Sequence, residues 1–184
     1  DIYFDNPTVG GTENIMMAAS LASGSTNILN ASAEPEVKNL GDFLNAMGAD
    51  VSGHGSNQIK VKGVSSLRGC THRVAADRIE AGTFMVAAVA TRGQITMSGV
   101  DPRELEVVTE LLSEFGAEVE ISSDRIRVSM EARPFAVDIE TAPFPGFPTD
   151  LQAQFMVLNA VARGKAFVRE QIFENRFMHV QELI

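Results

Sequence analysis

The chain has 184 residues, of which 45% are hydrophobic, so it is long enough for one ordinary domain or two small ones with a buried core. Its formal net charge is -9, with 15 basic residues against 24 acidic ones, which argues against a nucleic-acid-binding surface. A single cysteine, Cys70, excludes an internal disulfide framework and a cysteine-based zinc site, and it is consistent with a reducing cytoplasm.

The first part of the chain predicts the element order βαβαββ. A strand-like segment, DIYF, precedes an almost wholly apolar helix that begins at Thr12 and is followed by Gly24. A short strand and an amphipathic helix come next, and the Gly48-Ala49 pair ends that helix. Two strands joined by a polar turn over residues 52–57 complete the unit.

The same pattern recurs along the chain. The marker glycines Gly24, Gly93 and Gly164 are spaced by 69 and 71 residues. The second copy begins with the strand-like THRVA and is complete, whereas the third begins with FAVDI and stops early. We therefore predict two and a half repeat units of about seventy residues each.

The first helix of every unit is apolar around its whole circumference. We expect these helices to be buried on every side, with Met16, Met17, Met85 and Met156 in the core. One small sheet cannot enclose such a helix, so several units must pack their apolar helices together behind sheets and amphipathic helices. The predicted fold class is α/β, with parallel helices inside, rather than a doubly wound sheet with a phosphate loop.

Residues typical of helix N-termini begin the three apolar helices. These are Thr12, Asp77 with Glu80 three residues later, and Thr149 with Gln152 three residues later. Parallel helices would place their N-termini at one end of the assembly. The partial positive charges and free N–H groups there would favour an anion without any basic patch.

Few side chains stand out as chemically reactive. Asp150 has an ordinary interpretation, a carboxylate stabilised by the helix dipole, and a sharper alternative, a general base. Arg176 fits either a solvated helix arginine or a buried anion clamp. Cys70 has no activating neighbour, and His54 and His72 have no visible partners, so we predict neither a reactive thiol nor a metal site.

Four segments carry a family resemblance: NPTVGGTENIMMAA, DRIEAGTF, FPTDLQAQF and IFENRFMH. Together they resemble the UDP-N-acetylglucosamine 1-carboxyvinyltransferases, also called UDP-N-acetylglucosamine enolpyruvyl transferases, and the resemblance covers essentially the whole chain. It implies an inside-out α/β barrel built from six βαβαββ units in two domains. This enolpyruvyl transferase-like architecture is compatible with the repeat.

The resemblance also implies a reaction. Family members transfer the enolpyruvyl group of phosphoenolpyruvate to the 3-hydroxyl of UDP-N-acetylglucosamine and release phosphate, without a metal or other cofactor. This is the first committed step of bacterial peptidoglycan synthesis, and it links the protein to cell wall biogenesis, cell shape, the cell cycle and cell division. No apolar run approaches the roughly 18 residues of a membrane-spanning helix, so we expect a soluble protein of the bacterial cytoplasm.

The resemblance also assigns site residues, by their positions in the matching segments. Asp150 matches the family's candidate general base, Ile172 a backbone contact to the nucleotide sugar, and Arg176 an arginine of the phosphate-bearing active site. The residues that match the loop contacting the UDP moiety are Asn6, Pro7, Thr8, Val9 and Gly10. Many family members have lysine where Asn6 stands, so the sequence departs from the family at one diphosphate contact.

The resemblance is to the middle of the enzyme. The family's Lys-Asn pair, its reactive cysteine loop and its later phosphoenolpyruvate-binding arginines have no counterpart here, and Cys70 is not the loop cysteine. We expect residues 1–76 to form the last repeat unit of one domain, and residues 77–184 to form one and a half units of the second.

Three expectations about this chain and the full-length enzyme follow from the resemblance. The 184-residue chain alone should be inactive, and the full-length enzyme should be a monomer that binds neither nucleic acid nor a membrane. Two alternatives remain open. One is the shikimate-pathway enolpyruvyl transferase, which takes shikimate 3-phosphate, and the other is a non-catalytic repeat domain that serves as a scaffold.

Overall fold

Two separate hydrophobic cores organise the chain in the computed structural model, which describes residues 1–184. The first core belongs to a unit formed by Asp1–Ala75, and the second to a unit formed by Ala76–Ile184. None of the helices combines the length and the apolar character that crossing a bilayer requires.

The first unit has the predicted βαβαββ order. Its elements are β1 (Ile2–Tyr3), α1 (Val9–Ala19), β2 (Ser25–Leu29), α2 (Pro35–Ala46), β3 (Asp50–Ser52) and β4 (Gln58–Lys62). The sheet order is β1-β2-β4-β3, in which only the β1–β2 pair is parallel. Met16 of α1, Val37 of α2 and Ile59 of β4 are fully buried, so both helices pack on one face of this sheet.

The second unit repeats the pattern with changes. Its elements are α3 (Arg78–Ala90), β5 (Gln94–Ser98), α4 (Glu106–Glu114), β6 (Glu118–Ser122), β7 (Arg125–Ser129), β8 (Ile139–Glu140), α5 (Gln152–Val161) and β9 (Val168–Arg169). Strands β5, β7 and β6 form an antiparallel sheet, and β8 pairs in parallel with β9. Short 3₁₀ turns precede α4 and α5, and a third spans Met178–Glu182.

Two of the predicted strands differ from the structure. Residues 71–75, THRVA, form no strand, because no neighbouring strand pairs with them and Val74 is exposed to solvent. The segment FAVDI is reduced to the two-residue strand β8, with one isolated bridge between Phe135 and Arg163 upstream. A pattern of β-branched residues predicted strands there, but backbone pairing decided their length.

The apolar helices are not buried on every side in this chain, which corrects that expectation. Met16 of α1 and Met85 of α3 are fully buried, as predicted. Met17, in contrast, is 44% exposed, and Phe84 on α3 is 53% exposed. Each helix buries one face within its own unit and leaves an apolar stripe uncovered, since one sheet covers only one side of a helix.

The start of α1 also differs from the prediction. The helix begins at Val9, and Thr8 caps it by accepting a hydrogen bond from the Gly11 N–H at 3.3 Å. Thr12, the predicted cap, is buried in the first turn and accepts a hydrogen bond from the Ser32 N–H at 3.1 Å. The prediction for α3 is confirmed, because Asp77 accepts hydrogen bonds from the backbone N–H groups of Ile79 and Glu80.

Candidate functional site

A polar cluster forms where β8, β9 and α5 meet in the second unit. Strands β8 and β9 are parallel, so their carboxyl ends lie at the same edge. Thr141 directly follows β8 and Glu170 directly follows β9. The 3₁₀ turn that leads into α5, Thr149–Leu151, supplies Thr149 and Asp150 to the same place. Two strand ends and one helix start therefore converge on one group of side chains.

Arg176 connects this cluster to Asp150. Its Nη2 donates to Asp150 Oδ1 at 2.6 Å, and its Nη1 donates to Thr149 Oγ1 at 2.7 Å. The Asp150 side chain is 56% exposed and that of Arg176 is 37% exposed, so both remain accessible to a ligand. The guanidinium fork thus spans two consecutive residues at the start of the helix.

Glu170 anchors the cluster from the other side. Its Oε1 accepts hydrogen bonds from Thr141 Oγ1 and the Ile172 N–H, each at 2.8 Å, and from the Phe173 N–H at 3.1 Å. Its Oε2 accepts from Thr149 Oγ1 at 2.8 Å. Burial raises the pKa of the Glu170 carboxyl, but these hydrogen bonds together outweigh burial and leave that pKa below its ordinary value.

Arg176 is also held at two further points, its guanidinium by an aromatic ring and its backbone carbonyl by a glutamine. Its guanidinium carbon lies 5.2 Å from the centre of the Phe173 ring, a cation–π distance. Its carbonyl accepts a hydrogen bond from Gln152 Nε2 at 3.3 Å, and Gln152 is almost fully buried. Arg176 lies in a turn outside any helix, so the interpretation as a solvated helix arginine is wrong.

The predicted capping role of Thr149 and Gln152 is also wrong. The 3₁₀ turn before α5 has no side-chain cap. The Thr149 hydroxyl donates to Glu170 and accepts from Arg176, and the Gln152 side chain points to the Arg176 carbonyl. Both side chains therefore form hydrogen bonds with tertiary partners more than twenty residues away in sequence, instead of with the helix backbone.

The structure brings the second-unit site residues together. Asp150 and Arg176 are in direct contact, and Ile172 joins them through Glu170, which accepts its N–H. Sequence reasoning missed Glu170 and Thr141 altogether. The one local signal was a hydroxyl and a carboxylate placed directly after two short strands, a position where polar side chains converge in α/β proteins.

The remaining predicted site residues lie in the first unit. Asn6 and Pro7 belong to the segment between β1 and α1, whereas Val9 and Gly10 are the first residues of α1. With Thr8 as the cap, this segment presents the N-terminus of an eleven-residue helix, which favours anionic groups.

The two histidines without visible sequence partners both have neighbours in the folded first unit. His54 Nε2 lies 2.9 Å from Asp42 Oδ1. His72 stacks on Phe43 with ring centres 5.0 Å apart. Cys70, in the same unit, is an exposed free thiol.

The second-unit cluster suits acid–base and anion chemistry. A carboxylate at the start of a helix can accept a proton from a ligand hydroxyl. A guanidinium beside it can donate to an oxyanion through the N–H groups that Thr149 and Asp150 leave free. The fold and this site define a mixed α/β protein with a carboxylate–arginine pair at a helix start.

The chain belongs to the EPSP synthase (3-phosphoshikimate 1-carboxyvinyltransferase) family, whose model matches residues 1–184. Among curated relatives, the UDP-N-acetylglucosamine 1-carboxyvinyltransferase of Shewanella sp. (strain W3-18-1) is 54% identical over 184 residues. That of Halorhodospira halophila (strain DSM 244 / SL1) is 53% identical over 182 residues. The match covers 100% and 99% of this chain, respectively, but only 44% of either relative. The chain thus spans less than half the length of these relatives.

Solved structures share the fold. The enolpyruvyl transferase NikO from Streptomyces tendae superposes with a TM-score of 0.82 at 24% identity, covering 94% of this chain and 42% of that one. An EPSP synthase from Acinetobacter baumannii gives a TM-score of 0.57 at 22% identity, covering 91% of this chain and 40% of the other. At these identities the likeness concerns the fold alone, an enolpyruvyl transferase fold with mixed α/β content.

Proposed function

We propose that the protein carrying this sequence transfers the enolpyruvyl group of phosphoenolpyruvate to the 3-hydroxyl of UDP-N-acetylglucosamine. The observation that carries the proposal is the Asp150–Arg176 pair at the start of α5, in a chain 54% identical over its whole length to enzymes named for this transfer. The reaction commits material to peptidoglycan, so the protein serves cell wall biogenesis and, through it, cell shape and division in the bacterial cytoplasm.

Asp150 is the proposed general base. In this role its free carboxylate oxygen accepts the proton of the sugar 3-hydroxyl as the hydroxyl oxygen bonds to C2 of phosphoenolpyruvate, whose C3 takes up a proton. Loss of a C3 proton and of phosphate from this adduct then restores the double bond on the sugar. The support is the 56% exposure of its side chain, which leaves room for a hydroxyl beside the Arg176 contact. Arg176 in turn binds phosphate oxygens through its remaining N–H groups, since a guanidinium has five donors and only two are engaged by Thr149 and Asp150.

The other proposed contacts are to the nucleotide sugar. Ile172 contributes backbone, and its N–H is already engaged by Glu170, which fixes the peptide plane. Residues 6–10 contact the UDP moiety, and the N-terminus of α1 supports this because its free N–H groups attract diphosphate. Asn6 donates a neutral hydrogen bond where many family members have a charged lysine.

The proposed architecture extends the observed units. Residues 1–76 form the last βαβαββ unit of one domain, and residues 77–184 form one and a half units of the other. In the complete inside-out barrel, the apolar helices lie parallel and are covered on every side. The exposed Met17 and Phe84 support this proposal, because a helix that is apolar around its whole circumference is ordinarily buried. We also propose that the whole protein is a monomer and that the 184-residue chain alone is inactive.

Phosphate release tests the proposal. The whole protein that carries this sequence should release phosphate when phosphoenolpyruvate and UDP-N-acetylglucosamine are both present. Asp150→Ala should lower turnover about a hundredfold or more, the loss typical of a missing general base. The matched control Asp124→Ala alters an exposed aspartate of the β6–β7 turn and should leave turnover unchanged. Equal turnover in the wild type and Asp150→Ala would exclude the base role, and no phosphate release from the unmodified protein would favour a scaffold.

One second function is favoured by a specific observation. The matching family model is described as EPSP synthase, whose acceptor by its name is 3-phosphoshikimate. Titration of the whole protein with each acceptor separates the two. We expect binding of UDP-N-acetylglucosamine and none of shikimate 3-phosphate, and the reverse result would assign the second function.

A further inference from the structure

Glu170 joins three segments that are distant in sequence. Its carboxylate contacts the end of β8 through Thr141, the start of the α5 turn through Thr149, and its own following turn through the N–H groups of Ile172 and Phe173. The Thr141 hydroxyl also accepts the Gln171 N–H at 2.8 Å. One carboxylate therefore holds both segments of the second unit that carry proposed site residues.

The hydrogen bonds of Thr149 have a defined direction. A carboxylate only accepts hydrogen bonds, and the Thr149 hydroxyl must therefore donate its proton to Glu170. The lone pairs of the same oxygen are then free to accept from Arg176, which donates at 2.7 Å. Glu170 thus determines, through the Thr149 hydroxyl, the position of Nη1, one of the two nitrogens of the Arg176 fork.

The position of the second nitrogen of the fork, Nη2, follows from that of Nη1. The guanidinium is planar and rigid, so fixing Nη1 on Thr149 fixes the position of Nη2, which donates to Asp150 at 2.6 Å. The ring of Phe173 packs beside the same guanidinium, and the Phe173 N–H is bound by Glu170. Glu170 therefore restrains the arginine from both sides without touching it.

We propose that Glu170 is a positioning residue, which holds Arg176 against Asp150 through Thr149 and so sets the geometry of the carboxylate–guanidinium pair. The inference rests on the proposed function, because it assigns Glu170 a part in that reaction. Glu170 itself touches no reacting group in this arrangement.

Glu170→Gln is the central variant. A glutamine amide donates as well as accepts, so it can no longer accept from Thr149 on one side while accepting three hydrogen bonds on the other. The whole protein with this change should lose about tenfold to a hundredfold in kcat, as expected for a loosened supporting contact. The KM for UDP-N-acetylglucosamine should change far less, because the substrate contacts themselves remain.

Variants of Thr149 distinguish positioning from general support of the fold. Thr149→Val keeps the shape and removes the hydroxyl, and it should lower kcat as much as Glu170→Gln does. Thr149→Ser keeps the hydroxyl and should restore most of the turnover. The double variant Glu170→Gln/Thr149→Val should be no slower than either single variant, because both changes break the same chain of hydrogen bonds.

The matched control is Glu120→Gln. Glu120 lies on an exposed strand and pairs with Arg127 at 2.6 Å, so its loss should leave kcat and KM unchanged. Full turnover in Glu170→Gln, or in Thr149→Val, would overturn the positioning role. So would a double variant whose loss is the product of the two single losses.

A structural measurement keeps the two proposals distinguishable. In a crystal structure of the whole Glu170→Gln protein, we expect the Arg176 Nη2 to Asp150 Oδ1 distance to exceed hydrogen-bonding range. An unchanged distance would overturn the inference. If the unmodified protein releases no phosphate from the two substrates, the proposed function fails, and this distance still decides whether Glu170 positions the pair.

Discussion

Helices α1 and α5 begin in contrasting ways, although the sequence predicts equivalent starts. The Thr8 hydroxyl stays local and accepts the Gly11 N–H at the first turn of α1. The Thr149 hydroxyl at the start of α5 instead contacts Glu170 and Arg176, and no side chain caps its turn. The same residue type therefore stabilises a helix in one unit and organises a polar cluster in the other.

This difference shows what a site requires from its helix. An uncapped turn leaves backbone N–H groups without a side-chain partner, which costs stability of about 1 kcal/mol relative to a capped start. In return, the side chain becomes available to orient an arginine. We therefore expect changes at the α1 start to lower stability and the affinity for the nucleotide, and changes at the α5 start to lower turnover.

The largest expected effect is that of Arg176→Ala. It removes the ion pair to Asp150 and the hydrogen bond to Thr149, together with the proposed phosphate contact. We expect turnover of the whole protein to fall about a hundredfold or more, as for a lost donor that stabilises a transition state. Arg125→Ala, a change on an exposed strand position, should have no effect in the same phosphate-release assay. An active Arg176→Ala protein would remove the contrast between the two helix starts.

Two neighbouring glycines test the packing of the α1 start. A Cβ added at Gly11 would lie 2.5 Å from the Thr8 methyl and 3.1 Å from the Phe4 ring, so Gly11→Ala should destabilise the protein by about 1–3 kcal/mol. A Cβ at Gly10 meets nothing within 4 Å, so Gly10→Ala should leave stability unchanged or improve it. Chemical denaturation measures both, and equal midpoints would contradict the prediction.

Replacing Thr8 or Thr149 by alanine should have smaller effects, one on stability and the other on turnover. Thr8→Ala removes a cap and should lower the free energy of unfolding by about 1 kcal/mol. Thr149→Ala removes no cap, and its main effect should be on turnover rather than on helix stability. Parallel denaturation and phosphate-release measurements on the two variants check this. A larger loss of turnover in Thr8→Ala than in Thr149→Ala would reverse the comparison.

The smallest effect is in the pH dependence of stability. The pKa of Glu170 is lowered in the folded protein, so its contribution is present at neutral pH and is lost as the pH falls through that pKa. The pKa of Glu13 on α1 is raised by burial and by Glu36. Ionised Glu13 therefore lowers the stability of the folded protein at neutral pH, and this cost is lost as the carboxyl takes up a proton in acid. From about pH 7 to about pH 3, Glu170→Gln should lose less stability than the wild type, and Glu13→Gln should lose more. Identical pH profiles for the two variants would contradict these signs.

Much of the fold could be predicted from local patterns. The βαβαββ order of the first unit, the amphipathic character of α2 and α4 and the Asp77 cap all depend on residues within a few positions of each other. Such patterns specify an element because the backbone period and the nearest side chains suffice to form it. Asp150 at the start of an apolar helix was predictable for the same reason.

The missing strand and the exposed helix faces were not predictable in this way. Residues 71–75 have a strand-like composition, yet a strand needs a partner, and none pairs with them. The all-round apolar character of α1 and α3 predicted full burial of Met17 and Phe84, yet burial depends on how many layers surround each helix. Both outcomes depend on neighbours that a local pattern does not contain.

By itself the sequence determined the repeat, the helices and strands of the first unit, and the presence of a carboxylate where α5 begins. Only the tertiary structure decided that Thr149 faces Glu170 and Arg176, which lie 21 and 27 residues further along the chain. The physical reason is that a hydroxyl can bond its own helix or a distant partner with similar energy. The choice depends on which acceptor and donor the folded chain brings within hydrogen-bonding distance.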